Sequence, residues 1–204
     1  MIYVISGPSG CGKSTLIDRA LADLKDIHFS VSHTTREKRD GEAEGKDYYF
    51  ISREKFQKMV QKKVFIEWAV VHGACYGTSK KELKRKRIQG DVILDIDVQG
   101  TMQVRQKIRK AIFVFILPPR YQELKKRLQN RGLDSAASIK KRLARARQEI
   151  WSYLCFDYIV INDEIEKAVA DLESIIRCQR SHLAARKEEM KPILASFRTG
   201  DALK

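Results

Sequence analysis

Short apolar runs alternate with segments whose apolar residues return at helical spacing along most of the chain. Ile2 to Ile5 predicts a strand, and a helix is expected from about Lys13 to Leu24. His28 to Val31 is a second strand candidate. Ser52 precedes a charged helix reaching Lys62, in which Glu54 and Lys58 stand four apart. Val64 to Val71 predicts a strand that the His72–Gly73 pair turns into a hairpin with Ala74 to Tyr76. Ser79 is a fitting cap for a basic helix that ends at Gly90.

VILDID (Val92 to Asp97) and AIFVFIL (Ala111 to Leu117) are the most apolar runs, as strands covered on both faces require. Pro118 and Pro119 stop the second. Helices are predicted over Tyr121 to Asn130 and Ser138 to Tyr153, a last strand over Tyr158 to Asn162, and a helix from about Glu164 to Arg186. Residues beyond Pro192 carry no pattern and are expected to fray. This rhythm predicts an α/β fold, a parallel sheet core with helices on both faces. The polar, short-stranded segment near 33–77 breaks the rhythm and reads as an insert.

Composition narrows the class. The 204 residues suffice for one substantial core, and 43% hydrophobic with 32% charged content describes a soluble globular chain. MIYVIS runs straight into structure, without the basic start and apolar core of a signal peptide, and no apolar run has membrane-spanning length. Cys11, Cys75, Cys155 and Cys178 are scattered, without metal-ligand spacing, and are expected to be free thiols in a reducing, cytoplasmic compartment. The formal charge of +14 points to an anionic partner without choosing among nucleic acid, membrane and phosphorylated small molecules.

The chemistry starts at Gly7-Pro8-Ser9-Gly10-Cys11-Gly12-Lys13-Ser14, which fits G-x-x-x-x-G-K-[ST] between a predicted strand and a predicted helix. Glycines let backbone N–H groups surround phosphate oxygens, and the helix start adds its positive dipole end. Lys13 is expected to reach the β- and γ-phosphates, and the Ser14 hydroxyl to bind Mg²⁺. VILDIDVQG then supplies Asp95 and Asp97 at the carboxyl edge of a core strand, where ligands of open α/β sheets bind. Strand alternation would put both on one side, one holding a metal-bound water and the other facing a phosphoryl acceptor.

The insert bears on the acceptor. Arg36 and Arg39 suit bidentate capture of phosphate oxygens, and Tyr48 and Tyr76 can donate phenolic hydroxyls to the same group. Glu67 interrupts the apolar FIEW strand and needs a partner. Guanine offers a ring N–H beside an exocyclic amino group, which one carboxylate can accept together. Ser32 or Thr78 would then serve the guanine carbonyl. Adenine lacks that paired donor edge, so such a site would discriminate strongly.

GPSGCGKST, SVSHTTREKRDGE, GKDYYF, FIEW, YGTS, ILDIDVQG and the KKRL and NRG segments together resemble the guanylate kinase family, in the family's order and from residue 1 to about 180. Lys38 stands where a proline often precedes the second arginine, and Thr78 where some members carry serine. The resemblance implies a P-loop nucleotide kinase fold with a single domain over 1–180. Its core would be 1–31, 79–120 and 151–180, its GMP-binding insert 32–78 and its helical lid 121–150, leaving 181–204 as a basic extension. It implies Mg²⁺-dependent transfer of the γ-phosphoryl of ATP to GMP or dGMP. Gly7, Pro8, Ser9, Gly10, Cys11, Gly12, Lys13, Ser14 and Thr15 would bind ATP. Ser32, Arg36, Arg39, Tyr48, Glu67, Tyr76, Thr78 and Asp97 would bind GMP. Ser14 and, through water, Asp95 would hold the metal.

Lys13, Arg36, Arg131 and Arg142 would stabilise the transferring group, while Arg127, Arg145 and Arg147 are assigned to solvated helix faces. ATP and GMP are the expected partners, with neither nucleic acid nor membrane, in a monomer or a homo-oligomer. Two alternatives stand beside this reading. One is a non-catalytic module of the same fold that binds phosphorylated peptides; the other is a P-loop kinase for a different phosphorylated acceptor.

Overall fold

The computed structural model describes residues 1–130 and 135–200. Strand β1 (Ile2–Ser6) is buried along its whole length. Tyr3 and Ile5 enter one apolar cluster, and Ile2 and Val4 enter another on the opposite face. An unbroken apolar run is the sequence of a strand covered on both sides. Helix α1 (Lys13–Asp23) leaves its carboxyl end and buries Leu16, Ile17 and Ala20. Strand β2 (Ile27–Phe29) follows, one residue earlier than the pattern suggests.

Residues from Ser32 onward build a second sheet. It comprises β3 (Ser32–Thr34), β4 (Tyr48–Phe50), β5 (Phe65–Val71) and β6 (Ala74–Ser79) in the order β4-β3-β6-β5, with helix α2 (Arg53–Gln61) beside it. Phe56 of α2 stacks on Phe65 at 4.6 Å and closes a small separate core. The β5–β6 hairpin turns where predicted. His72 and Gly73 both have positive φ, 50° and 85°, the conformation that matches a tight hairpin to strand twist.

The chain returns to the first sheet through α3 (Lys80–Gln89), capped by the Ser79 hydroxyl on Glu82 N, and β7 (Asp91–Asp95). Helix α4 (Val98–Lys107), strand β8 (Ile112–Leu117) and helices α5 (Tyr121–Asn130) and α6 (Ala136–Glu149) come next. A 3-10 helix (Ile150–Cys155), strand β9 (Tyr158–Ile161) and helix α7 (Ile165–Ser181) complete the core. The main sheet runs β2-β7-β1-β8-β9, parallel throughout. This is the predicted α/β core.

Two expectations are corrected. The predicted strand Val92–Asp97 ends at Asp95, and Asp97 is the N-cap of α4, its side chain accepting from Gly100 N. Of the residues after Pro192, those described, 193–200, are helical rather than frayed: α7 ends at Ser181 and α8 (Leu183–Gly200) runs through Pro192. A composition rich in Ala, Leu, Lys and Glu favours helix, and proline's fixed φ is helical even though its ring removes one hydrogen bond. Among the described residues no helix is long and apolar enough to cross a membrane.

Candidate active site

The carboxyl ends of β1 and β7 lie side by side, with Ile5 in register with Asp95. The glycine-rich loop therefore begins at Gly7, two residues beyond the level of that carboxylate. Lys13 Nζ donates to Gly7 O at 2.9 Å and stands 3.9 Å from Asp95 Oδ1. Burial works against the Lys13 charge, yet Cys11, Asp95, Glu149 and Tyr48 hold its pKa above the ordinary lysine value. Burial likewise raises the Asp95 carboxyl, with Lys13 opposing.

Gly12 caps α1 with φ 92°, a conformation costly for any side chain. A Cβ there would also stand 2.3 Å from Asn162 Nδ2. That amide donates to Cys11 O at 2.8 Å, so the buried Asn162 at the end of β9 fixes the loop from the side. Ser14 and Thr15 are exposed on the first turn of α1.

One exposed hydroxyl and one carboxylate suit Mg²⁺, which takes few protein ligands and completes its shell with phosphates and water. No group of three or more His, Cys, Asp or Glu residues able to hold a metal occurs among the described residues.

The helix pair α5–α6 packs a small core of Leu124, Leu128, Leu143 and Ala146. Leu128 presses on the glycine-rich loop, where a Cβ on Gly10 would meet its Cδ2 at 2.8 Å. Arg142 Nη1 donates to Ser9 Oγ at 3.1 Å, bringing a predicted phosphate-binding arginine to the loop. Arg131 lies outside the described residues.

Arg127 and Arg145 correct their assignment to solvated faces. Arg127 donates to Glu123 and to Asn162 O, and Arg145 donates to Glu149 and to Asp97. Arg147 is exposed and lies 4.6 Å from the Tyr121 ring.

In the insert, the Tyr48 and Tyr76 rings meet at 5.8 Å and the Arg36 guanidinium lies over Tyr48. Burial pushes the Tyr48 hydroxyl up to about 12, with the Asp95 charge adding to the shift and Lys13 opposing it. The Tyr48 hydroxyl of the insert thus feels the charges of Asp95 and Lys13 at the glycine-rich loop. Its neighbour Tyr49 faces the other way, against His33, as strand alternation requires.

Arg36 forms a bidentate pair with Glu42 at 2.7 and 2.9 Å. This makes Glu42 a partner of the phosphate-clamp arginine rather than the solubilising charge its loop context suggests. The pairing raises the arginine pKa and depresses that of Glu42. Arg39 is exposed, and its backbone N–H donates to the same Glu42.

Glu67 is 3% exposed on β5. Its Oε1 accepts from Thr78 N at 2.8 Å and Thr78 Oγ1 at 2.6 Å, and Ser32 Oγ lies 3.4 Å from that hydroxyl. Its Oε2 points over α4: a Cβ on Gly100 would stand 2.3 Å from it and 3.4 Å from Asp97 Oδ1. Two carboxylates thus converge above one glycine.

Burial pushes the Glu67 carboxyl up to about 7, with Thr78 opposing and the Asp97 charge reinforcing. The folded protein then holds a proton on Glu67 that the unfolded chain releases near 4.5. This group's contribution is therefore most favourable below that value and is lost as pH rises to about 7, by about 3 kcal/mol. Urea unfolding of the free protein at pH 5 and pH 8 should show that component, and Glu67→Gln should remove it.

Comparison with known proteins agrees with this geometry. The guanylate kinase family model matches residues 1–179. A guanylate kinase from Geobacter metallireducens is 46% identical over 181 residues, 88% of this chain and 89% of that one. A guanylate kinase from Escherichia coli K12 is 42% identical over 199 residues, 96% of each. The crystal structure of guanylate kinase from Anaplasma phagocytophilum superposes with a TM-score of 0.76 at 32% identity, covering 94% of each chain. A shared sequence over nearly the whole length, on a shared fold, places the chain in one family: it belongs to the guanylate kinases.

Proposed function

We infer that this chain transfers the γ-phosphoryl group of ATP to GMP, giving ADP and GDP. The observation that carries the reading is the cluster of Arg36, Tyr48 and Tyr76 in the insert, together with the Lys13–Asp95 pair at the glycine-rich loop, whose charges act on the Tyr48 hydroxyl. A phosphate clamp of arginine and phenols beside the P-loop lysine brings two phosphates together, which is most of what phosphoryl transfer needs.

In this reading the loop Gly7–Thr15 wraps the donor phosphates with its N–H groups, and Lys13 places a charge on them. Arg142 adds a second from α6, as would Arg131. Arg36, Arg39, Tyr48 and Tyr76 hold the acceptor phosphate, with Arg36 exchanging Glu42 for the ligand. Glu67 and Asp97 accept from the guanine ring N–H and amino group, and Ser32 and Thr78 complete that end. Bound Mg²⁺, held by Ser14 and through water by Asp95, would neutralise charge on the β- and γ-phosphates.

Segment 32–78 acts as the acceptor-binding unit, 121–150 as the lid and 181–204 as a basic extension, helical over Leu183–Gly200. Four free cysteines suit a reducing cytoplasm. Incubation with γ-labelled ATP, Mg²⁺ and GMP should move label into GDP one-for-one with ADP. Label appearing as inorganic phosphate instead would overturn the reading.

A further inference from the structure

Arg145 has no assigned part in the chemistry, yet it joins the two halves of the site. On α6 its Nε donates to Glu149 Oε1 at 2.5 Å, and its Nη2 reaches Asp97 Oδ2 at 2.9 Å. The two side chains of the cross-element pair are only 25% and 15% exposed. Asp97 is fixed on its own side, since Oδ1 accepts from Gly100 N at 2.9 Å. Arg145 thus grips a carboxylate that faces both α6 and the Glu67 end of the site.

Three residues earlier on the same helix, Arg142 reaches Ser9. Residues three apart share a helix face. Whatever sets the rotation of α6 at Asp97 therefore also sets where Arg142 meets the donor phosphates. Two carboxylates on one guanidinium fork hold a geometry that an exposed single pair does not.

We propose that Arg145 is a positioning residue that latches α6 to Asp97, so that filling the guanine end of the site and seating Arg142 on the donor phosphates become one event. Asp97 Oδ2 accepts from Arg145 at 2.9 Å and, more weakly, from Gln99 Nε2 at 3.4 Å; a carboxylate oxygen has two lone pairs, so it keeps Arg145 while the guanine amino group replaces the longer Gln99 contact. Each contact orients the carboxylate for the other. Binding of either nucleotide then strengthens the other, by the same factor in both directions. The inference rests on the reading of the site as one for ATP and GMP.

The test is GMP affinity by calorimetry with and without a non-hydrolysable ATP analogue. The wild-type protein should bind GMP about tenfold more tightly with the analogue present, a usual size for coupled sites. Arg145→Ala should bring that factor to about twofold or less, and Arg145→Lys should restore part of it. In an Asp97→Asn background Arg145→Ala should change the factor little, because the latch is already broken.

An unchanged factor in Arg145→Ala, a wild-type factor of one, or full additivity of the two substitutions would overturn the latch. A variant that merely loosened the fold would show a lowered melting temperature and no rescue by lysine, which also counts against it. Label transfer in the wild type separates the two failures. No GDP means the site reading falls, whereas normal GDP formation with unaltered coupling in Arg145→Ala removes only the latch.

Discussion

Lys13→Met is expected to slow phosphoryl transfer by about a thousandfold, the scale on which one charge-stabilising group acts in such reactions. Methionine keeps the length and volume of the stem and removes only the charge. In the wild-type site that charge sits 2.9 Å from Gly7 O and 3.9 Å from Asp95. Its loss leaves Asp95 in a half-buried position without its cation and the donor phosphates without their closest positive group. GMP touches other residues in this account, so its affinity in the absence of ATP should stay within about twofold. Stopped-flow or coupled kinetics measure the first effect and calorimetry the second. Turnover near wild type would remove Lys13 from the chemistry, while loss of both would mean that Lys13 holds the fold of the loop.

The second large effect is expected at the guanine end. Glu67→Gln turns one carboxylate oxygen into an N–H donor. Either the Thr78 pair or the guanine edge must then face the wrong group, buried and unpaired. A buried polar mismatch of this kind costs about 1–3 kcal/mol, more where the lost partner is charged, so kcat/KM for GMP should fall about tenfold to a hundredfold. Gly100→Ala tests the same contact from the other side. Alanine favours the helix, yet its Cβ would stand 2.3 Å from Glu67 Oε2 and must push the carboxylate away. The melting temperature should hold while KM for GMP rises about tenfold or more, because displacements of an ångström are costly in a positioned site. Unchanged kinetics in both variants would make Glu67 a structural residue.

Much of the site is legible in the sequence because its chemistry is local. The P-loop occupies consecutive residues between a strand and a helix, and Glu67 stands out as the charge in an apolar strand. The hairpin at His72–Gly73 and the cap at Ser79 are signals of two or three residues.

Contacts across elements are harder to read. VILDID looks like one strand because its apolar residues continue to Ile96. The break at Asp97 comes from the helix cap, which a run of hydrophobicity does not record. Arg145 sits on the same helix face as Arg142, a spacing visible in the sequence, but its partner Asp97 lies 48 residues away. Glu42 looks like one acid among several in a balanced loop until the fold closes it onto Arg36. Asn162 ends a strand with no motif around it and becomes a support for the P-loop only through β9 lying beside β8.

The central claim is that the buried Glu67, with Asp97, selects guanine as the base of the phosphoryl acceptor. The most direct measurement is kcat/KM for GMP, AMP and CMP with ATP and Mg²⁺, in the wild type and in Glu67→Gln. The account predicts a preference for GMP of at least about 10⁴-fold, as expected where a site hydrogen-bonds a specific donor edge, and its collapse by at least an order of magnitude in the variant. Comparable rates with all three acceptors, or a preference that survives Glu67→Gln intact, would contradict it.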